Sequence, residues 1–109
     1  MANVATLELT GRQAGKPDIA ISVEIGVPYR VAGTEWACSV SVRPLHERLH
    51  DQYGEGSFQA LLLAMRLALD LLKNYTEKDG ALLDEDGGSF PFDAFPINLP
   101  SRNRPSSAP

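Results

Sequence analysis

Two histidines and the acidic residue between them have the residue types and the spacing of a catalytic zinc site. His46, Glu47 and His50 form the pattern H-E-x-x-H. On a helix this spacing brings both imidazoles to one face, where they bind zinc while the glutamate activates a metal-bound water. Pro44 and Gly54 restrict any helix here to about two turns, and the chain has no third histidine. We therefore expect no metal and no enzyme activity, and a zinc-dependent hydrolase is the least favoured alternative.

The single cysteine is a second candidate for chemistry, as a nucleophile with His46 or His50 as its base. Cys38 lies in an alternating stretch from Trp36 to Val42, which is typical of a strand with one buried side. A free cysteine most often behaves as a small buried hydrophobic residue, so we predict a core position. One cysteine cannot form an internal disulfide, which favours a reducing compartment. We expect a cytoplasmic protein without a cofactor.

Acidic residues are concentrated near the C-terminal end, where they could bind another protein. The chain has 14 acidic residues, 10 Lys and Arg, and a net charge of -4. Residues 70–93 contain seven acids and two lysines, and phenylalanines follow the acidic run. Carboxylates steer a cationic partner, and aromatic rings provide anchors that lose their water on binding. The predicted partner-binding residues are Asp84, Glu85, Asp86, Asp93, Phe90 and Phe92.

The same balance of charge and hydrophobicity argues against two other kinds of partner. Binding to the phosphates of nucleic acid needs a basic surface, and this chain is acidic. The most apolar stretch, residues 58–72, contains 15 residues and is interrupted by Arg66 and Asp70. Because a bilayer span needs about 20 apolar residues, we expect neither a nucleic acid nor a membrane as partner.

The strands that would position these residues are predicted from alternating apolar positions. Apolar residues occupy every second position from Ile19 to Ile25, which indicates a strand with one buried face. Residues 4–9 should form a hairpin with it. A third strand is predicted over residues 35–42, paired with residues 28–31 across a glycine-containing turn. Because these connections are too short for helical crossovers, the sheet should be antiparallel.

One long helix is predicted after the polar connection at residues 43–56. Ser57 has the hydroxyl of an N-cap residue, and the helix should run to about Tyr75. Its polar residues fall within a stripe of about 100°, so most of its circumference is apolar. One sheet face cannot cover so broad a surface. Either the C-terminal segment folds over the helix, or a second subunit forms a homodimer through residues 57–75.

Together these elements predict an α+β fold, in which an antiparallel sheet of about four strands packs on one long helix. Residues 80–83 should add a short strand and residues 84–88 a turn, before an irregular Pro- and Phe-rich segment. A single domain should cover residues 1–98. Residues 99–109 have the composition of a flexible Pro/Ser-rich tail.

Three separated motifs resemble a family of small uncharacterised bacterial domains of unknown function. They are EWAC at 35–38, YGEGSFQALLLA at 53–64 and GGSFP at 87–91. The resemblance covers roughly residues 7–96 and implies an antiparallel sheet on one long helix, with no catalytic residues to carry over. Small bacterial proteins of this kind often resemble immunity partners of secreted toxins, which is an argument from analogy.

We therefore predict a non-catalytic protein-binding domain. Its most specific form is an immunity protein that neutralises a bacterial toxin, with the acidic surface bound to a basic toxin domain. The alternative is a homo-oligomeric structural or accessory domain.

Overall fold

Two antiparallel sheets and one long helix make up most of the protein. The structure is a computed structural model, and it describes residues 2–78 and 80–95. The helix α1 spans Gly56–Lys78, and a short 3₁₀ helix spans Phe92–Ala94. The strands of the described residues are β1 (Asn3–Arg12), β2 (Ile19–Gly26), β3 (Tyr29–Ala32), β4 (Glu35–Cys38), β5 (Val40–Arg43), β6 (Gln52–Glu55) and β7 (Ala81–Leu83). The α+β class predicted from the sequence is confirmed.

The first sheet has the strand order β5-β2-β1-β7, with antiparallel neighbours throughout. The hairpin of β1 and β2 confirms the sequence prediction. On β2 the alternation places Ile21, Val23 and Ile25 in the core, while the residues between them face the opposite side of the sheet. The short strand predicted at residues 80–83 is present as β7, and the structure shows that it pairs with the end of β1 at Thr10–Arg12.

The third predicted strand is divided between two sheets at Ser39. β4 joins the second sheet, which has the order β3-β4-β6, whereas β5 pairs with β2 in the first. The Gly26 N–H donates to the Ser39 carbonyl at 3.0 Å, which holds the crossing point against the end of β2. The alternating pattern does not reveal this division, because β4 and β5 each bury apolar side chains at alternate positions, as one continuous strand would.

The polar connection before the helix contains a strand that the sequence pattern does not predict. Gln52–Glu55 form β6 and pair with β4, with Trp36 opposite Gly54 and Ala37 opposite Tyr53. This four-residue strand has no apolar alternation of its own. Its pairing with β4 therefore depends on the tertiary structure rather than on local propensity.

The helix begins with a different capping arrangement from the one predicted at Ser57. The Glu55 N–H donates to the Gln59 side-chain oxygen at 2.6 Å, and the Gly56 N–H donates to the Thr34 carbonyl at 2.9 Å. Gln59 thus reaches back over the first turn to an N–H four residues earlier, one residue further than the glutamine of a capping box does. Gly56 has φ 88°, a conformation that favours glycine over residues with a side chain.

A stripe of mostly small residues on α1 faces the sheets. Its four buried positions occur every four residues, at Ala60, Ala64, Ala68 and Leu72. Small side chains allow the strands to approach the helix axis closely, and larger residues beside the stripe pack against the edges of the core. The helix ends at Lys78, three residues beyond the predicted end.

The C-terminal segment packs onto the core, as one of the two predicted ways of covering the helix. Phe90 is buried, and its ring lies 4.8 Å from Phe92 and 5.0 Å from Phe95 between centroids. All three rings belong to the same hydrophobic cluster as the helix. The predicted tail at 99–109, and with it the predicted boundary after residue 98, lie outside the described residues.

Candidate functional site

The histidine motif lies in a loop, so its spacing does not produce the helical geometry of a zinc site. Residues 44–51 connect β5 to β6 without a helix. The His46 N–H donates to the Val42 carbonyl at 2.8 Å, so the chain turns back on β5. Without helical geometry, positions 46 and 50 are not brought to one face by their spacing. Across residues 2–78 and 80–95, no cluster of three or more His, Cys, Asp or Glu side chains could hold a metal.

A polar cleft separates this loop from the outer side of the first sheet. It has a volume of about 640 Å³, and His50, Arg43 and Arg48 line it together with Glu24 and Glu47. Cationic and anionic side chains are mixed along its walls. This mixture gives the cleft no single sign of charge, and therefore no electrostatic preference for an anionic or a cationic ligand.

Cys38 occupies the predicted core position at the end of β4. Its side chain is fully buried, and the thiol donates to the Gly26 carbonyl at a sulfur–oxygen distance of 3.2 Å. Burial raises the pKa of the Cys38 thiol above its ordinary value, and the negative charge of Asp51 raises it further. A raised pKa and a buried sulfur both oppose the thiolate that a nucleophilic cysteine needs.

The acidic residues of the predicted binding surface have different roles. The Asp84 carboxylate accepts hydrogen bonds from the N–H groups of Asp86, at 3.0 Å, and Gly88, at 3.1 Å. Both bonds end at the same carboxylate oxygen, Oδ1, and they shape the turn. Glu85 and Asp86 are exposed on this turn, and Asp93 is exposed on the 3₁₀ helix. Of the four predicted carboxylates, Asp84 is thus half-buried and the other three are exposed.

Of the two phenylalanines predicted to contact a partner, Phe90 is not available at the surface. Only 6% of its surface is exposed. Its N–H donates to the Leu82 carbonyl at 2.9 Å, which fixes the backbone beside β7 and turns the ring into the core. We therefore correct its assignment from surface anchor to core residue. Phe92 is half-buried against Phe90.

A second candidate surface, which the sequence motifs do not predict, lies on the outer side of the second sheet. Tyr29 and Tyr53 both lie opposite Ala37, one on each neighbouring strand. Cross-strand neighbours share a face of the sheet, so the two rings flank Ala37. The rings are 45% and 53% exposed, while Ala37 is fully buried. Two aromatic side chains are therefore held at the surface in one row.

Two glutamates lie on the same side of this sheet. Glu35 is directly opposite Glu55, and each is two residues from a member of the tyrosine row, Ala37 or Tyr53. Residues two apart on a strand point to one face. We use the name tyrosine face for the surface formed by Tyr29, Tyr53, Glu35 and Glu55. It combines exposed rings with two negative charges.

A hydrogen bond attaches the tyrosine face to the loop that contains the histidine motif. The Tyr29 hydroxyl donates to the Asp51 carboxylate. This hydrogen bond raises the pKa of Tyr29 to about 12, with smaller contributions from desolvation and from the Asp51 charge. Tyr29 therefore remains a neutral donor at physiological pH, and its ring orientation is restricted.

The sequence contains no direct signal for the tyrosine face, because it forms only when β6 pairs with β4. Tyr29 and Tyr53 are 24 positions apart in the chain, and Tyr53 belongs to the strand that no local pattern predicts. The sequence lists the residues of this surface, but it does not reveal the register in which β3 and β6 pair with β4.

The described part of the chain contains no helix that is both long and apolar enough to cross a membrane. Although α1 has 23 residues, charged and polar side chains interrupt its apolar surface.

Comparison with known proteins gives a family but no described activity. The family model for a domain of unknown function, DUF6968, matches residues 5–94. This range includes every strand from β2 to β7, the whole helix and nearly all of β1. Neither the curated proteins nor the solved structures contain a match. Because the matched range covers well over half of its residues, the chain belongs to the family described as domain of unknown function DUF6968.

Proposed function

We propose that the protein is a non-catalytic binding domain whose tyrosine face holds a basic segment of another protein. The observation that carries the proposal is the cross-strand row in which Tyr29 and Tyr53 flank Ala37. Tyrosine supplies a large contact area and loses little conformational freedom on binding, which is why it is enriched in protein interfaces. Held by a sheet, these rings form an ordered surface before a partner arrives.

The charge of the tyrosine face favours a basic partner. Glu35 and Glu55 are direct cross-strand neighbours, and like charges in this arrangement repel each other. Within the described ranges neither glutamate forms an ion pair with a lysine or arginine of the chain; the ion pair that is present there joins Arg12 to Asp18. A lysine or arginine from a partner would relieve this repulsion, and its cationic group could also stack on a tyrosine ring.

The acidic residues of the C-terminal turn support the same kind of partner. Glu85, Asp86 and Asp93 are exposed, and long-range attraction by such residues raises the rate of association with a cationic protein. In this proposal the tyrosine face supplies contact area and the turn supplies steering. Phe92, half-buried beside the turn, adds an apolar contact.

The most specific form of the proposal is a bacterial immunity protein that neutralises a basic toxin domain. An immunity protein acts by covering the active site of the toxin, which needs binding but no catalysis. The acidic surfaces of this small domain favour a basic toxin domain as the partner, because their charges are complementary. The test is co-expression with the product of the neighbouring gene. Protection from its toxicity, lost in the variant Tyr53→Ala, would support this form, and toxicity unaffected by the protein would contradict it.

A cross-linking experiment tests the general proposal and can identify the partner at the same time. A photoreactive phenylalanine analogue replaces Tyr53 in one variant and Ala20 in a control. Ala20 is exposed on β2 of the first sheet, so both probes are accessible to solvent. We expect a discrete cross-linked partner from position 53 in an extract of the source cells. Equal products from both positions, or none from position 53, would contradict the proposal.

One observation favours self-association as a second candidate function. Phe58 is 75% exposed and Leu62, four residues later on α1, is 37% exposed. Residues four apart lie on one side of a helix, so the two side chains form an apolar strip. Sedimentation of the wild type and of Phe58→Ser tests this candidate. A dimer that dissociates in the variant supports it, and a wild-type monomer contradicts it.

A further inference from the structure

The second sheet could receive a peptide segment in either of two ways. Its strand order is β3-β4-β6, so within residues 2–78 and 80–95 the outer strands β3 and β6 each have a neighbouring strand on one side only. An extended segment either adds a strand at such an edge or contacts the exposed face through its side chains. The backbone groups of β3 and β6 decide between these two modes.

The edge of β6 is closed by the start of the helix. The Gly56 N–H donates to the Thr34 carbonyl, so the backbone groups of Gly56 point toward β4. Because these groups alternate in direction along a strand, those of Tyr53 and Glu55 point to the open side. The Glu55 N–H is already bonded to the Gln59 side chain at 2.6 Å. Of the two N–H groups of β6 on this side, only that of Tyr53 is left for an added strand.

The edge of β3 is unsuitable for a different reason. Alternate residues of β4 bond to β6, so Ala37 directs its backbone groups toward Tyr29, and those of Arg30 point to the open side. The residue two positions before Arg30 has the same direction, but it is Pro28, which has no N–H. On the other side of Arg30, the register shifts before Ala32. A proline and a bulge both oppose the addition of a strand to an edge.

A partner of the tyrosine face therefore lies across the strands and binds through its side chains. The acidic end of this face contains a cavity of about 460 Å³, which is bordered by Thr34, Glu35, Tyr53, Gly54, Glu55 and Gln59. Two carboxylates, one aromatic ring and one amide thus surround a single space. Among the described residues that border it there is no lysine, arginine or histidine.

The geometry of the sheet holds the two carboxylates close together. Gly56 and Thr34 form a hydrogen-bonded pair, so the next pair along the strands, Glu55 and Glu35, is a non-hydrogen-bonded one. The α-carbons of such a pair are about 4.5 Å apart, closer than in a hydrogen-bonded pair. Both glutamates are exposed. One cation can therefore contact both carboxylates at the same time.

The chemistry of this cavity favours arginine over lysine. A guanidinium is planar and has five N–H donors, so it can bond to two carboxylates while its flat side stacks on a tyrosine ring. An ammonium is a compact and more strongly hydrated charge, which cannot make the same planar contacts. Tyr53 lies two residues before Glu55 on the same face of β6 and is 53% exposed, so its ring is available beside the carboxylates.

We propose that Glu35, Glu55 and Tyr53 bind an arginine side chain of a partner segment that lies across the tyrosine face without joining the sheet. We call these three residues the arginine site. The inference rests on the proposed function and adds two properties to it, the side chain that is recognised and the absence of main-chain pairing.

NMR titration of the full chain with two small probes tests the arginine site. The probes are N-acetyl-arginine amide and N-acetyl-lysine amide, which have the same charge. We expect the arginine probe to shift the amide signals of Tyr53 and Glu55 and to bind at least about threefold more tightly than the lysine probe. Glu35→Gln and Glu55→Gln should each weaken binding of the arginine probe by about fivefold or more. Glu77→Gln is the matched control, since it removes the same charge from an exposed position on α1.

Two results of the titration would overturn the arginine site. The first is equal binding of the two probes. The second is equal weakening by Glu77→Gln and Glu35→Gln, which would show that net charge alone attracts the probe.

Cross-linking from position 53 separates failure of the arginine site from failure of the proposed function. A cross-linked partner whose contact segment contains no arginine would retain the tyrosine face as the binding surface but overturn the arginine site. The expected binding of the arginine probe, without any cross-linked partner, would support the arginine site and contradict the proposed function.

Discussion

Tyr29 and Asp51 join the tyrosine face to the neighbouring loop through one hydrogen bond. The bond raises the pKa of Tyr29 to about 12, because ionisation of the phenol would remove the donor and place two negative charges together. In Asp51→Asn the pKa of Tyr29 should fall toward its ordinary value of about 10. The ring carbon shifts of Tyr29 in an NMR titration measure this change, and an unchanged pKa would contradict the assignment.

The same hydrogen bond should affect stability at alkaline pH. Because the folded-state pKa of Tyr29 lies above its unfolded value, the stabilising contribution is complete below about pH 10 and decreases as the pH approaches about 12. Denaturant unfolding at about pH 9 and about pH 12 should show a larger loss for the wild type than for Asp51→Asn. Equal losses would show that the bond does not contribute.

Cys38 should be unreactive in the folded protein. Its sulfur is buried and its thiol pKa is raised, so both access and the thiolate fraction are low. A colorimetric disulfide reagent should react at least about a hundredfold more slowly with the folded chain than with the chain in denaturant. Rapid reaction of the folded protein would instead favour the alternative in which Cys38 is a nucleophile.

At the scale of elements, the contact between β6 and the start of α1 depends on Gly54. A methyl group there would lie 2.8 Å from the Ala60 nitrogen and 2.9 Å from the Gln59 side-chain oxygen. Gly54→Ala should therefore lower the free energy of unfolding by about 1–3 kcal/mol, through overpacking against the helix. Chemical denaturation measures the loss.

Gly88→Ala is the matched control for this substitution. The nearest atom to a methyl group at Gly88 is an Asp84 carboxylate oxygen at 3.9 Å, so there is room for a side chain. We expect a change of less than about 0.5 kcal/mol, as for most surface substitutions. Similar losses in both variants would contradict the role of close packing between Gly54 and α1.

At the scale of the whole molecule, the location of negative charge should matter more than its total. The double variant Glu85→Lys/Asp86→Lys raises the net charge by four, as does Asp70→Lys/Glu77→Lys on the exposed surface of α1. With a cationic partner identified by cross-linking, the first variant should slow association by about tenfold and reduce its salt dependence. The second should have a smaller effect, and equal slowing would show that net charge alone is responsible.

Local patterns in the sequence are sufficient to predict the elements whose residues repeat with a clear period. The alternation from Ile19 to Ile25 predicts β2, and the apolar circumference of residues 57–75 predicts α1, because burial of one side imposes a period of two on strands and about 3.6 on helices. A second alternation, from Trp36 to Val42, identifies Cys38 as a core residue although the stretch is divided between β4 and β5. The patterns that predict β2 and α1 lie within single elements, so neighbouring residues carry the information.

The pairing of the strands, and with it the set of side chains that share a surface, could not be predicted without the three-dimensional fold. Ser39 divides one alternating stretch between two sheets, and β6 pairs with β4 without an apolar pattern of its own. Tyr29, Tyr53, Glu35 and Glu55 therefore meet across the second sheet, while Phe90 turns into the core. Such juxtapositions depend on register between distant segments, and a local pattern of burial contains no information about its partner strand.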